Sequence, residues 1–445
     1  KKLTKKFLED NQYLVLDTAF FSTEFKYKIL ASMEDIDEET NGLLIHGENF
    51  QALNLLQERY REQVKCVHID PPYNTSTSGF LYKNSYEHSS WLSMMNDRII
   101  LARMIMMDEG DFICHIDENE YEKLNIMFDH HSLYSSGTII WDKKNPMLGR
   151  KGIATQHEYI IWRSKYDGSI YGRSEAIIQI LEKVKSIITE SGGINDIAKD
   201  KYSKWLSKQE ELTGGEKAYK YIDDDGFVYR LVAMGAPERR TDPKYFVPLI
   251  HPITRKECPV PPNGWSRAPE TLTELIKQNM IVFGIDETTQ PQKRVYLRPD
   301  AQKQLTSVYS DGRSGKSYLD HLDLEFPYCH PVSMYEHLLS TLSNNATCID
   351  FFAGSGTNAH AVINLNREDD KVEPENGKRK YILVEMGDYF NTVMKPRIQK
   401  VIYSEEWRDG QPVNPETGIS HCFKYIRLEN YEDTLNNLEL EDRQP

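Results

Sequence analysis

Short, mostly apolar runs alternate along this chain with longer stretches in which apolar residues return every three or four positions. The runs at 43–46, 64–69, 111–116, 137–141 and 158–162 predict strands buried on both faces, the pattern of a parallel sheet covered by helices. Two more, at 348–352 and 381–385, return near the end. Helical spacing predicts helices over 50–59, 334–342 and 357–365. Another is expected to start at an N-cap in Ser89-Ser90 and to bury Leu92, Met95, Ile99, Ala102 and Met106. The rhythm stops between about 166 and 324. There, 174–209 predicts helix, Asp223-Asp224-Asp225-Gly226 a turn before a strand at 227–232, and 243–269 is rich in proline. An irregular segment of that length inside a compact fold usually carries function. The polar stretch 368–380 reads as an exposed loop.

Three strand ends carry chemistry. The run at 64–69 ends in Asp70-Pro71-Pro72-Tyr73. A carboxylate and a proline carbonyl there can both accept hydrogen bonds from an exocyclic NH2 group, leaving the nitrogen lone pair to attack, and the prolines make the loop stiff and poor in donors. Tyr73 offers a flat face for a flipped-out base. A turn of this composition also serves simply to leave a strand. The run from Cys348 continues through Asp350, Phe352, Ala353, Gly354, Ser355, Gly356 and Thr357 into a helix, so that glycines let the backbone approach a ligand. It lacks the third glycine and the lysine of a phosphate loop and suits a nucleoside with an uncharged linker. The run at 381–385 ends in Glu385, an acid that suits ribose hydroxyls after such a turn and, taken alone, is a solvated strand end.

The combination resembles the DNA amino-methyltransferases, and within them the N6-adenine type, whose first catalytic residue is Asp. With the catalytic motif first and the cofactor motif last, the order is similar to the β class, and the wording to the modification (Mod) subunit of type III restriction-modification systems. The resemblance spans about 43–403. It implies an α/β fold, a Rossmann-like doubly wound methyltransferase sheet in permuted order with an inserted target-recognition domain. The expected division is an N-terminal extension at 1–40, a catalytic half at 41–165, the recognition domain at 166–324, a cofactor-binding half at 325–405 and a C-terminal extension at 406–445. It further implies S-adenosylmethionine as cofactor, held by Asp350 to Thr357 and Glu385, by Gly47 and Glu48 after the strand at 43–46, and by the start of the helix following His330-Pro331, where relatives often carry Lys-Pro. Glu48 could equally be a helix-start acid favoured by the dipole. Phe80 or Tyr82 could close over the target base, or merely anchor their loop.

Formal net charge is −14, which argues against a uniformly basic nucleic-acid binder, although DNA contact needs only a local positive groove. Lys143-Lys144 and Arg239-Arg240 with Lys244 are candidate phosphate contacts. Six scattered cysteines without a CxxC pair suggest neither zinc nor a disulfide framework, and no metal is expected. Without an apolar run of membrane length or a signal peptide, a cytoplasmic location is expected. Gly312-Arg313-Ser314-Gly315-Lys316-Ser317 has the wrong spacing for a phosphate loop and is taken as a flexible turn. His130-His131 and His157-Glu158 lack metal-site spacing and read as surface or hydrogen-bonding residues.

The resulting expectation is direct methyl transfer from S-adenosylmethionine to the N6 amino group of a flipped-out adenine in double-stranded DNA. A homodimer and a separate helicase-nuclease restriction subunit are expected partners. The alternatives are a DNA-recognition subunit with little activity of its own and an RNA adenine methyltransferase.

Overall fold

The apolar runs become strands because alternate residues on each find a hydrophobic layer on opposite sides. On β2 (Val64–Ile69), Cys66 enters one layer while Val64, Val67 and Ile69 enter the other. A computed structural model describes residues 4–75, 87–146, 152–210, 212–298, 301–372 and 374–429. Contacts divide the chain into two units, residues 1–172 with 304–445, and residues 173–303.

The first unit is built on a nine-stranded sheet. With β1 (Gly42–His46), β2, β3 (Met106–Ile116), β4 (Tyr134–Asp142), β5 (His157–Ser164), β6 (Val308–Ser310), β7 (Thr347–Asp350), β8 (Lys380–Glu385) and β9 (Phe423–Arg427), the spatial order is β6-β4-β5-β3-β2-β7-β8-β1-β9. Only β5 runs antiparallel to its neighbours. Helices cover both faces. α1 (Asn49–Tyr60) and α2 (His88–Ile105) bury Leu53, Leu56, Trp91, Met95 and Ile99 on one side. α3 (Val332–Leu339), α4 (Thr357–Val372) and α5 (Lys395–Tyr403) bury Leu338, Val362 and Ile398 on the other. This is a doubly wound α/β sheet, as expected. In such sheets ligands bind beyond the carboxyl ends of the strands, where the winding reverses. Adjacent strands β2, β7, β8 and β1 end there in Asp70, Asp350, Glu385 and His46-Gly47.

Several local expectations are corrected. α2 begins at His88 with Glu87 at the cap position, so Ser89 and Ser90 lie in its first turn; Met106 opens β3. The stretch 368–380 is not all loop, because α4 runs on to Val372. Gly315 is no flexible turn: it starts the helix Gly315–His321, and a Cβ there would lie 2.1 Å from the Cys329 carbonyl oxygen. His131 is buried rather than at the surface. β6 and that helix belong to the first unit, since Val308 to Ser310 bond to β4, and β9 extends the sheet from within the stretch expected to be a C-terminal extension.

The second unit carries helices Glu175–Glu190 and Asp196–Ser207, separated where Gly192 and Gly193 take φ of +70° and +126°. Ile180, Val184 and Ile187 of the first pack with Ala198, Tyr202 and Leu206 of the second. A four-stranded antiparallel sheet follows, centred on Val228–Ala233 and Gln292–Tyr296. Among the described residues, no helix is long and apolar enough to cross a membrane.

Candidate active site

Beyond the ends of β1, β7 and β8 lies a cavity of about 690 Å³. Its walls are Gly47, Glu48 and Asn49 after β1; Pro72 after β2; Trp91, Met94 and Arg98 on α2; Phe351 and Phe352 after β7; and Val384 to Tyr389 at the end of β8. Of the residues expected to hold a cofactor, Gly47, Glu48, Phe352 and Glu385 line it.

Apart from His330, the remaining expected cofactor residues build the turn from behind. Gly354 and Gly356 take φ of +53° and +83°, where a side chain is strained. A Cβ on Gly356 would also stand 2.9 Å from Met394 Cγ. The Ala353 amide donates to the Val384 carbonyl at 3.2 Å, tying the turn to β8. Asp350 is buried and accepts from the Phe352 amide at 3.0 Å; burial pushes its carboxyl well above the usual range. The Ser355 and Thr357 hydroxyls point into the protein, accepting from Arg397 Nη1 at 2.7 and 3.0 Å. Arg397 is fully buried on α5, so these two side chains fix the turn on the core and do not face the cavity.

Glu385 holds its carboxylate for the backbone. Oε2 accepts from the Gly354 amide at 2.9 Å, and Oε1 accepts from the Met386 and Gly387 amides at 2.8 and 2.9 Å. The acid expected on ribose therefore first locks together the two loops that bound the cavity. Glu48 has a double role. Its Oε2 caps α1 through the Gln51 amide at 3.1 Å, and its Oε1 pairs with Arg98 at 2.5 Å. Arg98 Nε donates to Asn49 Oδ1 at 2.7 Å, and Asn49 Nδ2 donates to the Phe351 carbonyl at 2.9 Å, linking α2, α1 and the β7 turn.

Pro72 joins this cavity to the Asp70–Tyr73 loop, and its carbonyl accepts from Trp91 Nε1 at 2.8 Å. Behind the loop is a cluster of charged side chains. Tyr73 Oη donates to Glu158 Oε2 at 3.0 Å. Glu158 also takes Lys143 Nζ at 2.5 Å and His330 Nε2 at 3.2 Å. His330 Nδ1 lies 3.5 Å from Asp70 Oδ2. His330 is thus corrected: its ring is buried between two carboxylates on the Asp70 side and does not line the cavity. Burial acts to raise Glu158, but the hydrogen bond from His330 and the charges of His330 and Lys143 hold it at about 2. Burial pushes the Asp70 carboxyl up, and His330 opposes the rise. Burial alone would lower His330; Asp70 and Glu158 outweigh it and raise its pKa above the ordinary value. Beside this cluster His115 and His68 meet through Nε2 atoms 2.8 Å apart, both driven towards the neutral form by burial.

Among the basic candidates, Lys143 belongs to this cluster rather than to an open surface, and Lys144 pairs with Asp142 at 2.7 Å. In the second unit Arg239 and Arg240 line a separate cleft with Thr241, Pro243 and Phe246, and Lys244 beside it pairs with Asp242 at 3.0 Å. Phe80 and Tyr82 lie outside the described residues. Asn49 and Arg98 carry no local signal of their roles, because their partners are remote in the chain. Trp91 and Glu158 did carry a signal: an aromatic beside the helix start, and a carboxylate inside an otherwise apolar strand.

Residues 64–395 match the N6/N4 DNA methylase family. The chain is 28% identical over 380 residues to the type III restriction-modification enzyme EcoP15I Mod subunit of Escherichia coli, covering 76% of this chain and 58% of that protein. It is 24% identical to the StyLTI Mod subunit of Salmonella typhimurium, covering 91% and 63%, and 22% identical to the type II methyltransferase M.KpnI of Klebsiella pneumoniae, covering 81% and 84%. It therefore spans about three fifths of the length of the two Mod subunits. A match running from β2 to the start of α5, across both the Asp70 loop and the Gly354 turn, makes this chain a member of the DNA methylase family.

Proposed function

We propose that this protein methylates the N6 amino group of adenine in double-stranded DNA, with S-adenosylmethionine as donor. The observation that carries this is Pro72, which belongs to the Asp70-Pro71-Pro72-Tyr73 loop and is also a wall of the 690 Å³ cavity. A group bound in the cavity and an amine held by the loop are thereby neighbours.

The cavity suits the cofactor's chemistry. Its volume falls in the ordinary range for a small-molecule site, roughly 300–1,000 Å³. Phe352, Met386 and Tyr389 supply apolar wall for a nucleoside, while Glu48, Arg98 and Asp388 supply polar groups at its edge. Gly47, Glu48 and Phe352 would hold the adenosyl part, with Glu385 keeping the Gly354 turn in place. When bound, S-adenosylmethionine supplies an electrophilic methyl group.

The chain's own residues position the acceptor. Asp70 Oδ and the Pro71 carbonyl accept the two N6 hydrogens, so the nitrogen lone pair is left facing the cavity. Trp91 fixes the loop through the Pro72 carbonyl. Tyr73, its hydroxyl held by Glu158, presents its ring to a base taken out of the duplex. Orientation of this kind contributes on the order of 7–11 kcal/mol to a transfer between two bound reactants.

The unit 173–303 serves as the recognition domain in this proposal, and the Arg239–Arg240 cleft is its phosphate or base contact. The names of the relatives further support a restriction subunit as partner, and a homodimer is retained as the assembly. Incubating the protein with S-adenosylmethionine and duplex DNA, then measuring N6-methyladenine, N4-methylcytosine and methylated RNA separately, tests the assignment. N6-methyladenine that is lost in Asp70→Ala is expected; modified cytosine or RNA alone would replace the proposal with another member of the family's chemistry.

A further inference from the structure

The Asp70 carboxylate stands in a charged cluster with an unusual central member. His330 Nε2 lies 3.2 Å from Glu158 Oε2, while Nδ1 stands 3.5 Å from Asp70 Oδ2, at ion-pair distance without a hydrogen bond, and the side chain is 1% exposed. We infer that His330 is a positioning residue for the methyl transfer: an imidazolium clamped between the Asp70 and Glu158 carboxylates, it keeps Asp70 ionised and aimed, so that methylation declines when the ring loses its proton. The inference rests on the amine-methylation reading above.

Every element packed around the ring contributes to the balance. Asp70 and Tyr73 face it from the end of β2, Glu158 from β5, Trp141 from β4, Lys143 from just beyond β4, His115 from β3, Tyr335 from α3 and Tyr328 from its own loop. Among these, Asp70 and Glu158 carry negative charge and Lys143 carries positive charge. Lys143 pairs with Glu158. With His330 protonated the cluster is neutral overall; with His330 neutral it holds one negative charge without compensation, a cost borne mainly at the buried Glu158 and His330, since Asp70 and Lys143 are partly exposed. His115 is held neutral by its burial and adds no repelling charge. Rising pH removes the ring proton and leaves both carboxylates ionised, so Asp70 loses the counter-charge 3.5 Å away that holds its carboxylate aimed at the amine. Removing the cation at fixed pH, as His330→Gln does, leaves burial to favour a protonated Asp70, whose O–H would compete for the lone pair that must attack.

The sign follows. A group whose pKa is raised in the folded protein contributes below that pKa and is lost as pH rises through it. Activity therefore falls on the alkaline side at the raised pKa of His330, by about tenfold per pH unit once the ring is neutral. His330→Lys replaces the titrating ring by an ammonium whose ordinary pKa is about 10.4, and should keep activity at pH 7 while moving the decline to higher pH. His330→Gln, which cannot carry charge, should lower kcat at pH 7 at least tenfold with little change in KM for S-adenosylmethionine.

The test pairs two measurements. First, 15N NMR of histidine-labelled protein follows the His330 ring, identified by its loss in His330→Gln; an imidazolium at pH 7 that becomes neutral in Asp70→Asn is expected. Second, N6-methyladenine formation is measured against pH for wild type, His330→Lys and His330→Gln. A neutral ring at pH 7, or identical pH profiles for wild type and His330→Lys, overturns the inference while leaving the adenine methylation intact. A wild-type protein that forms no N6-methyladenine at any pH overturns the assigned reaction itself, and the inference with it.

Discussion

Replacing Glu385 by glutamine keeps the shape of the side chain and changes only its hydrogen-bonding. In the native protein two carboxylate oxygens serve three amides: Oε2 takes Gly354 and Oε1 takes Met386 and Gly387. Glutamine has a single acceptor oxygen, so it can keep one side and must turn an NH2 group towards an amide N–H on the other. The Gly354 bond is the one sacrificed if the oxygen stays with the Met386–Gly387 pair. A hydrogen bond to a charged group is worth roughly 1.5–3 kcal/mol, and each 1.4 kcal/mol is about a tenfold change in an equilibrium, so local opening at Gly354 should become about 10- to 100-fold easier. Hydrogen exchange on peptides spanning 352–358 reads this directly, because local opening governs the protection of that amide. Affinity for S-adenosylmethionine should fall by a similar factor, since the turn is no longer held against the cavity. Exchange within about twofold of wild type, with unchanged cofactor affinity, would refute the assignment of Glu385 as the lock between the two loops.

Other consequences follow from the same contacts. Trp91→Phe removes the donor to the Pro72 carbonyl and should lower kcat roughly 10- to 100-fold with a smaller effect on cofactor affinity, measured by steady-state methylation beside calorimetry. Gly356→Ala places a Cβ 2.9 Å from Met394 Cγ at a φ of +83° and should cost about 1–3 kcal/mol, seen as a lowered midpoint in urea. Glu158→Gln leaves the buried His330 and the half-buried Lys143 without their carboxylate and should cost about 3 kcal/mol near neutral pH. Because the Glu158 carboxyl is held at about 2, its contribution is present above the unfolded value near 4.3 and lost as pH falls towards 2, so wild type and variant should converge in acid denaturation. Arg239→Ala with Arg240→Ala should weaken DNA binding and reduce the slope of log affinity against log salt by about two if both meet phosphates.

What the sequence disclosed and what it concealed divide along a physical line. The strands at 64–69 and 381–385 and the turn at Gly354 were legible because each signal is local: an apolar run needs two covered faces, and a positive-φ turn needs glycine. The hydroxyls of Ser355 and Thr357 sit in the same local motif, yet their direction depends on Arg397, some forty residues later on α5. His330 reads as a cofactor contact from its place before a helix, but two carboxylates remote in the chain draw it to the opposite side. Arg98 and Glu48 pair across fifty positions, and no pattern within either segment foretells it. The stretch 174–209, expected as one helical segment, is two helices because Gly192 and Gly193 take positive φ between them, and the addition of β6 and β9 to the sheet depends on pairing with strands far away in sequence.

The central claim is that Asp70 holds an adenine amine beside the cavity walled by Pro72. Methylation-sensitive long-read sequencing of DNA from cells expressing the protein, beside cells expressing Asp70→Ala, tests it most directly. The account predicts N6-methyladenine at a short recurring motif with the native residue and none with alanine. The same modified motif in both samples would contradict it.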